Sequence, residues 1–327
     1  MKKVILLAIW LFTVISLLIF SPSISQITYE SLQSCLKNIF PLLFPYSVLA
    51  SLMVSLGIGE LLGKIIPVNK LFLMPRISSA PIICGAVCGF PLGAKVACDM
   101  YENGALSKQE AEMIVSISNN TGPVFIINII GAVYFSSIEV GIVIYISQIA
   151  SALMISLILY GNHINAKEYS YSVQPLGKAL SDSIRTSFIS CLYICGYISI
   201  FSSLIYAASF IPGGLSKAIS SFIEFTAGAK LGAGVGGGVG IFMAAFSVAW
   251  SGFSVICQTM SFTYPLGLSI KPLIKFKLMQ GLLCAVICTT YFSKARSAML
   301  ISLILLTALL YRIRQKEITL FSKLREN

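Results

Sequence analysis

Histidine is nearly missing from this chain of 327 residues: the one present, His163, falls in a polar stretch. A multi-histidine metal site and a histidine-based catalytic triad are thereby excluded within one chain. Charge is also scarce, at 11% of residues, and only 12 residues are acidic. With 57% hydrophobic residues and a mean hydropathy of +0.89, too little polar surface remains to coat a soluble domain of this size. The chain belongs in a bilayer. No Cys-x-x-Cys occurs among the nine cysteines; Cys84 and Cys88, Cys191 and Cys195, and Cys284 and Cys288 stand four apart on apolar stretches. That pattern suits small buried hydrophobes better than metal ligands, so no metal and no cofactor are expected.

What the chain does have is an excess of positive charge, +11, in short loops and at the ends. This is the distribution of cytoplasmic flanks beside anionic lipid, and it argues against nucleic acid as a partner. Residues 4–20 form an apolar run behind Met1-Lys2-Lys3, longer than the core of a signal peptide, and read as an uncleaved first span. Further apolar stretches lie at about 39–56, 78–98, 122–136, 139–160, 186–210, 232–250, 278–292 and 297–311. Several are too short or too glycine-rich to cross straight and read as half-helices or re-entrant pieces. A basic tail, 311–327, placed inside with the N-terminus requires an even count of full crossings, about eight. Lys294 and Arg296 then fall on the outer side, against the rule that set the count.

Two interruptions stand out. Gly89-Phe90-Pro91-Leu92-Gly93-Ala94-Lys95 breaks one apolar stretch, and Asn119-Asn120-Thr121-Gly122-Pro123 breaks another. Such breaks survive in a membrane only where they are packed in protein or line a cavity, because lipid satisfies no backbone donor. Pro91 suits the first position of a helix that Gly104 ends, which sets Lys95 and Asp99 one turn apart. Ser107-Lys108-Gln109-Glu110 has capping-box spacing, and the helix it opens runs to about Ser118. Pro123 can open the next. Two helix N-termini, near Pro91 and Pro123, would offer free N–H groups and a positive dipole end to an anionic or polar ligand group.

The second half repeats the plan loosely. Glu224-Phe225-Thr226-Ala227-Gly228 precedes a glycine-rich run, Ser251-Gly252-Phe253-Ser254-Val255-Ile256-Cys257-Gln258 breaks the apolar pattern, and Gly267-Leu268-Ser269 precedes another helix. Paired broken segments in two halves are the best pointer in a sequence to a transporter's central site. Gly228, Gly232, Gly236 and Gly240 recur every fourth residue, as on one closely packed helix face. Gly232, Gly234 and Gly237 also match Gly-x-Gly-x-x-Gly, but no strand precedes them and no P-loop Lys follows, so a nucleotide site is not implied.

At these residues the chain resembles the YlbJ/SpoVV sporulation integral membrane proteins. The resemblance rests on the blocks 89–95, Ala111-Glu112 and 119–125, with the weaker Glu224 and 251–258 segments, and spans about residues 35–290. It implies the "Gate" or nucleoside-recognition domain shared with concentrative nucleoside transporters, the iron transporter FeoB and the spore maturation proteins SpmA and SpmB. It further implies a spore-former's protein moving dipicolinic acid across the outer forespore membrane. The chain departs from the pattern in having Glu224-Phe225-Thr226 where the family suggests Glu-Ile-Thr, and in a short connection between the halves.

The expectation is an all-α polytopic membrane protein of two Gate-type halves with broken or re-entrant helices in an inverted repeat. Residues 35–160 and 186–292 form the halves, 161–185 a polar connecting loop, and 1–34 and 293–327 the flanking spans and tail. The solute would be small and anionic or polar aromatic, with H+ or Na+ as the coupling ion. For it, Gly89, Pro91, Gly93 and Lys95, then Asn119, Asn120, Thr121 and Gly122, then Glu224, Thr226, Ser251, Gly252, Ser254 and Gln258 form the binding set. Each has a structural reading as well: Lys95 can pair with Asp99 or snorkel, Glu224 can sit at an interface, and the amides can satisfy broken backbone. Rival functions are a nucleoside or ion transporter, or a non-transporting assembly component that would co-purify with a partner; homo-oligomers fit either. An enzyme would have to rest on Lys95 with a nearby serine.

Overall fold

A computed structural model describes residues 18–72, 74, 76–160, 173–212 and 214–293, with 4, 7, 10, 11, 14 and 15 from the N-terminal stretch. The apolar run 4–20 largely, and His163, Lys294, Arg296, the stretch 297–311 and the basic tail wholly, lie outside the described residues. The described chain is helical throughout: α1 (Ser21–Ser34), α2 (Phe40–Ser55), α3 (Ile58–Ile65), α4 (Ser79–Val87), α5 (Leu92–Glu102), α6 (Lys108–Ser118), a π-helical segment Phe125–Tyr134 and α7 (Ile138–Tyr160). Then follow α8 (Leu176–Ser209), α9 (Gly214–Ile223), α10 (Phe225–Val235), α11 (Gly237–Trp250), α12 (Gly252–Thr263) and α13 (Lys271–Tyr291). This is the all-α polytopic membrane protein that the composition requires.

Among the described residues four helical stretches are long and apolar enough to cross a membrane: Ile138–Leu159, Leu176–Ser209, Gly237–Thr263 and Lys271–Tyr291. A fifth arises if Ser21–Ile39 and Leu43–Ser55, bent by 58°, count as one. The bend has a local cause: a π turn at Cys35–Ile39 runs into Pro41 and Pro45, neither of which can donate to the helix ladder. About eight crossings were expected, and of the stretches behind that count 4–20 lies largely, and 297–311 wholly, outside the described residues. The stretches 78–98 and 122–136 are instead held as short pieces, α4, α5 and the π-helical segment.

The long helix α8 has its sides reversed relative to a soluble helix. It exposes Phe188, Leu192, Tyr193 and Ile200 and buries Ser183, Ser187, Cys191, Cys195 and Ser199. It begins at Leu176, ten residues before the apolar stretch suggested, because its first turns carry Lys178, Asp182 and Arg185. At 1.5 Å per residue such a helix runs about 50 Å, beyond a hydrocarbon core of about 30 Å, so its polar start projects past the lipid tails.

Packing relies on small residues, since lipid tails give buried apolar surface no advantage over exposed surface. A Cβ on Gly85 would lie 1.8 Å from the Ser118 carbonyl oxygen, and one on Gly131 would lie 2.7 Å from the Gly141 Cα. The every-fourth-residue glycines do not share one helix, because the chain turns at Gly236 with φ +70. Gly232 on α10 faces Gly240 on α11 instead, with 2.5 Å from a Gly232 Cβ to the Gly240 carbonyl. Their predicted close packing is present, but between two helices. Cys284 and Cys288 behave as buried apolar groups against the Ile144 and Val143 carbonyls of α7.

Candidate functional site

Four breaks in the helices meet in two crossed pairs. At the first pair, Gly89 (φ +84) lies so near the second break that a Cβ would come within 2.6 Å of the Gly122 amide nitrogen. The Phe90 N–H donates to the Asn120 carbonyl at 2.6 Å. At the other pair, Gly252 (φ +78) would drive a Cβ to 2.8 Å from the Ile223 carbonyl and 3.1 Å from the Glu224 Cα. Only glycine fits either approach, because both the backbone angle and the space demand it. Phe225 joins the pairs, with Phe90 edge-on at 5.1 Å and Phe125 at 5.4 Å.

The turns that follow are also alike. Gly104 donates to the Tyr101 carbonyl and Ala105 to that of Met100, and Gly267 donates to the Tyr264 carbonyl and Leu268 to that of Thr263. The same number of residues separates each member of the first turn from its counterpart, and also Gly89 from Gly252.

At the centre, the break Asn119-Asn120-Thr121 is held by side chains from distant helices. Gln148 of α7 brackets Thr121, accepting its N–H at 3.2 Å and donating to its carbonyl at 3.0 Å. The Thr121 hydroxyl donates to the Val248 carbonyl at 3.2 Å, and the Asn119 amide donates to Thr259 Oγ1 at 3.1 Å. From α13, Gln280 donates to Asn120 Oδ1 at 2.8 Å and to the Gln148 carbonyl at 3.0 Å. Lys277 donates to the Asn119 carbonyl at 2.8 Å and to Gln280 Oε1 at 2.7 Å. Lys277, Gln148, Gln280 and Asn119 are all fully buried. Burying an ammonium against neutral oxygens alone costs several kcal/mol even after relaxation, so this lysine is held there against its own solvation.

The expected binding residues are partly brought together. Asn119, Asn120, Thr121 and Gly122 form the network with Gly89, and Asn119 reaches α12 one residue beyond Gln258. Gln258 donates to Ser254 Oγ at 3.2 Å, and both are buried. Ser251 is fully buried in a left-handed conformation (φ 71), and neither its hydroxyl nor Asn119 Oδ1 has a hydrogen-bond partner among the described residues. Glu224 caps α10, accepting the Ala227 N–H at 3.0 Å and the Thr226 hydroxyl.

Three expectations need correction. Pro91 stands at the cap of α5 rather than at its first residue, and three amides around the first two breaks are already bonded. Leu92 N–H bonds Gly89, Phe90 N–H bonds Asn120, and Thr121 N–H bonds Gln148. Lys95 is equally occupied: its ammonium bonds Ser51 and sits 2.8 Å from Asp99 Oδ2, which also accepts from Ser51 at 3.0 Å. Gly93 is a packing position, since a Cβ would meet the Ser118 carbonyl at 2.4 Å.

Sequence reading missed Lys277, Gln280 and Gln148. Lys277 follows Lys271 and Lys275, so it resembles the basic flank of a span starting at 278. The helix in fact begins at Lys271 and carries Lys277 about 9 Å inward. A lysine and two glutamines inside apolar stretches were the available signal.

The chain is 24% identical over 295 residues to the sporulation integral membrane protein YlbJ of Bacillus subtilis (strain 168), a similarity covering 76% of this chain and 72% of that protein. The resemblance seen in the motif blocks thus extends over three quarters of the chain. No family model matches it, and no solved structure does.

Proposed function

We propose that this YlbJ-like, sporulation-associated membrane protein transports a small anionic or polar aromatic solute through the crossing of its broken helices. The observation that supports this best is the concentration of fully buried polar side chains, Asn119, Gln148, Ser251, Lys277 and Gln280, around interrupted backbone inside apolar helices. In hydrocarbon such groups are expensive, and they are the ordinary mark of a solute or ion path. The breaks come in two pairs, one in each half, which favours two related halves rocking about a fixed site. Dipicolinic acid is the solute that the family resemblance suggests, and the outer forespore membrane the place. In this reading Asn119, Asn120, Thr121, Ser251, Ser254 and Gln258 give directional hydrogen bonds. Glu224 with Thr226 forms the group through which a proton or Na+ could couple, and Lys95 with Asp99 braces α5 against α2.

A ligand-dependent thermal shift separates this from a scaffolding role. Dipicolinate, nucleosides and metal ions are each added to the purified protein; a solute bound at a hundred times its Kd adds about 2.7 kcal/mol by mass action. Stabilisation by one of these solutes is expected. No stabilisation by any, together with a protein partner retained through purification, would favour the assembly role.

A further inference from the structure

We propose that Lys277 supplies the positive charge that selects anionic solutes at the crossing of the broken helices. The inference rests on the transport reading for its biological sense, but its chemistry stands on the residues around Lys277. Lys95 and Lys277 are the two buried lysines among the described residues. They differ in one respect that decides between them. Lys95 has its counter-charge built in, 2.8 Å away at Asp99. Lys277 touches only neutral oxygens, the Asn119 carbonyl and Gln280 Oε1, and no described carboxylate pairs with it.

An ammonium has three N–H donors, and two of these are used. A carboxylate arriving beside Lys277 would take the third and supply the counter-charge that the described residues do not, favouring the ammonium form in a dry interior where such a pair interacts more strongly than in water. The neighbouring Asn119 Oδ1, buried and accepting nothing from any described residue, suits an anion that brings a donor with it, such as a hydroxyl or an ordered water. Placement matters as much as charge. Lys277 lies on α13 of the second half, while Asn119 belongs to a break of the first, so an anion held beside this bonded pair touches both halves at once. Gln280 keeps the ammonium in place by bonding Lys277 with its oxygen and Asn120 and Gln148 with its nitrogen.

The test uses the purified full-length chain and two probes of one shape: pyridine-2,6-dicarboxylate and the uncharged pyridine-2,6-dicarboxamide. Affinities come from thermal-shift titrations of the native protein and of Lys277→Gln. The native protein is expected to bind the dianion at least about tenfold more tightly than the diamide, and in Lys277→Gln the ratio of the two affinities is expected to fall to about one. Equal affinities in the native protein, or a preference that survives in Lys277→Gln, would overturn the assignment. Should Lys277→Gln fail to fold, Lys277→Met is titrated in its place and read in the same way. A Lys277-dependent preference with no uptake into vesicles would sink the transport reading and leave the charge assignment standing; uptake with no preference does the reverse.

Discussion

The ammonium of Lys277 donates to the main-chain carbonyl of Asn119 at 2.8 Å, across 158 residues of sequence. That bond ties an unbroken membrane helix to one of the helix breaks. It also explains how the Asn119-Asn120-Thr121 break survives in an apolar setting: Lys277 and Gln148 take over backbone hydrogen bonds that a continuous helix would have made, and Gln280 braces Asn120 Oδ1 beside them.

Gln280 is therefore expected to matter for stability. Replacing it by Leu strands Asn120 Oδ1 and removes an acceptor from Lys277, while the Gln148 carbonyl keeps the Ser151 hydroxyl. Each buried group left without a partner costs about 1–3 kcal/mol. A clear drop in Tm in detergent micelles checks this, and a Tm equal to that of the native protein would show that the network carries little of the fold's stability.

The glycines separate into two kinds. Gly232→Ala forces a Cβ to 2.5 Å from the Gly240 carbonyl and is expected to push α10 off α11, whereas Gly234, with nothing within 4 Å, has room for one. Gly234→Ala should be neutral or stabilise by up to about 1 kcal/mol through helix propensity. Parallel thermal melts check both. Equal damage from the two would mean that the glycine run serves something other than helix contact.

Gly89→Ala and Gly252→Ala combine a left-handed backbone with a collision against the opposing break, and each should cost about 1–3 kcal/mol or more. Gly104→Ala has the backbone strain (φ +75) but nothing within 4 Å, so it should cost less. Expression level and Tm of the three variants test the ranking.

Lys95 and Asp99 are expected to behave as a structural couple. Asp99→Asn leaves a buried ammonium with weaker partners, and Lys95→Met leaves a carboxylate with only Ser51. The double variant should be more stable than the sum of the two losses implies, by about 0.5–3 kcal/mol. Strict additivity in a double-mutant cycle would mean that the two charges do not interact.

Much of the local architecture was legible in the sequence because its causes are local. The capping box at Ser107 and Glu110 is formed in both directions, α6 ends at Ser118, and Gly104 terminates the preceding helix with a positive φ. The breaks at Gly89, Asn119 and Ser251 were visible because glycine, proline and polar residues interrupt apolar runs. What holds those breaks was not visible. Lys277, Gln280 and Gln148 act on residues 27 to 160 positions away, and no periodicity records such a meeting. The Lys95–Asp99 pair was legible as one helix turn, while the Ser51 partner of Lys95, 44 residues back on α2, was not. Apolar length alone does not distinguish a span from two half-helices meeting at an angle, which is why 78–98 reads as one stretch in the sequence and is two short helices in the fold.

The most direct test of the central claim, that the buried crossing of broken helices is a solute path, is uptake of radiolabelled dipicolinate by vesicles containing the purified protein. The account expects accumulation above that of empty vesicles, abolished in Asn120→Ala while the variant still inserts and folds. Uptake no greater than in empty vesicles, or uptake undiminished in Asn120→Ala, would contradict it.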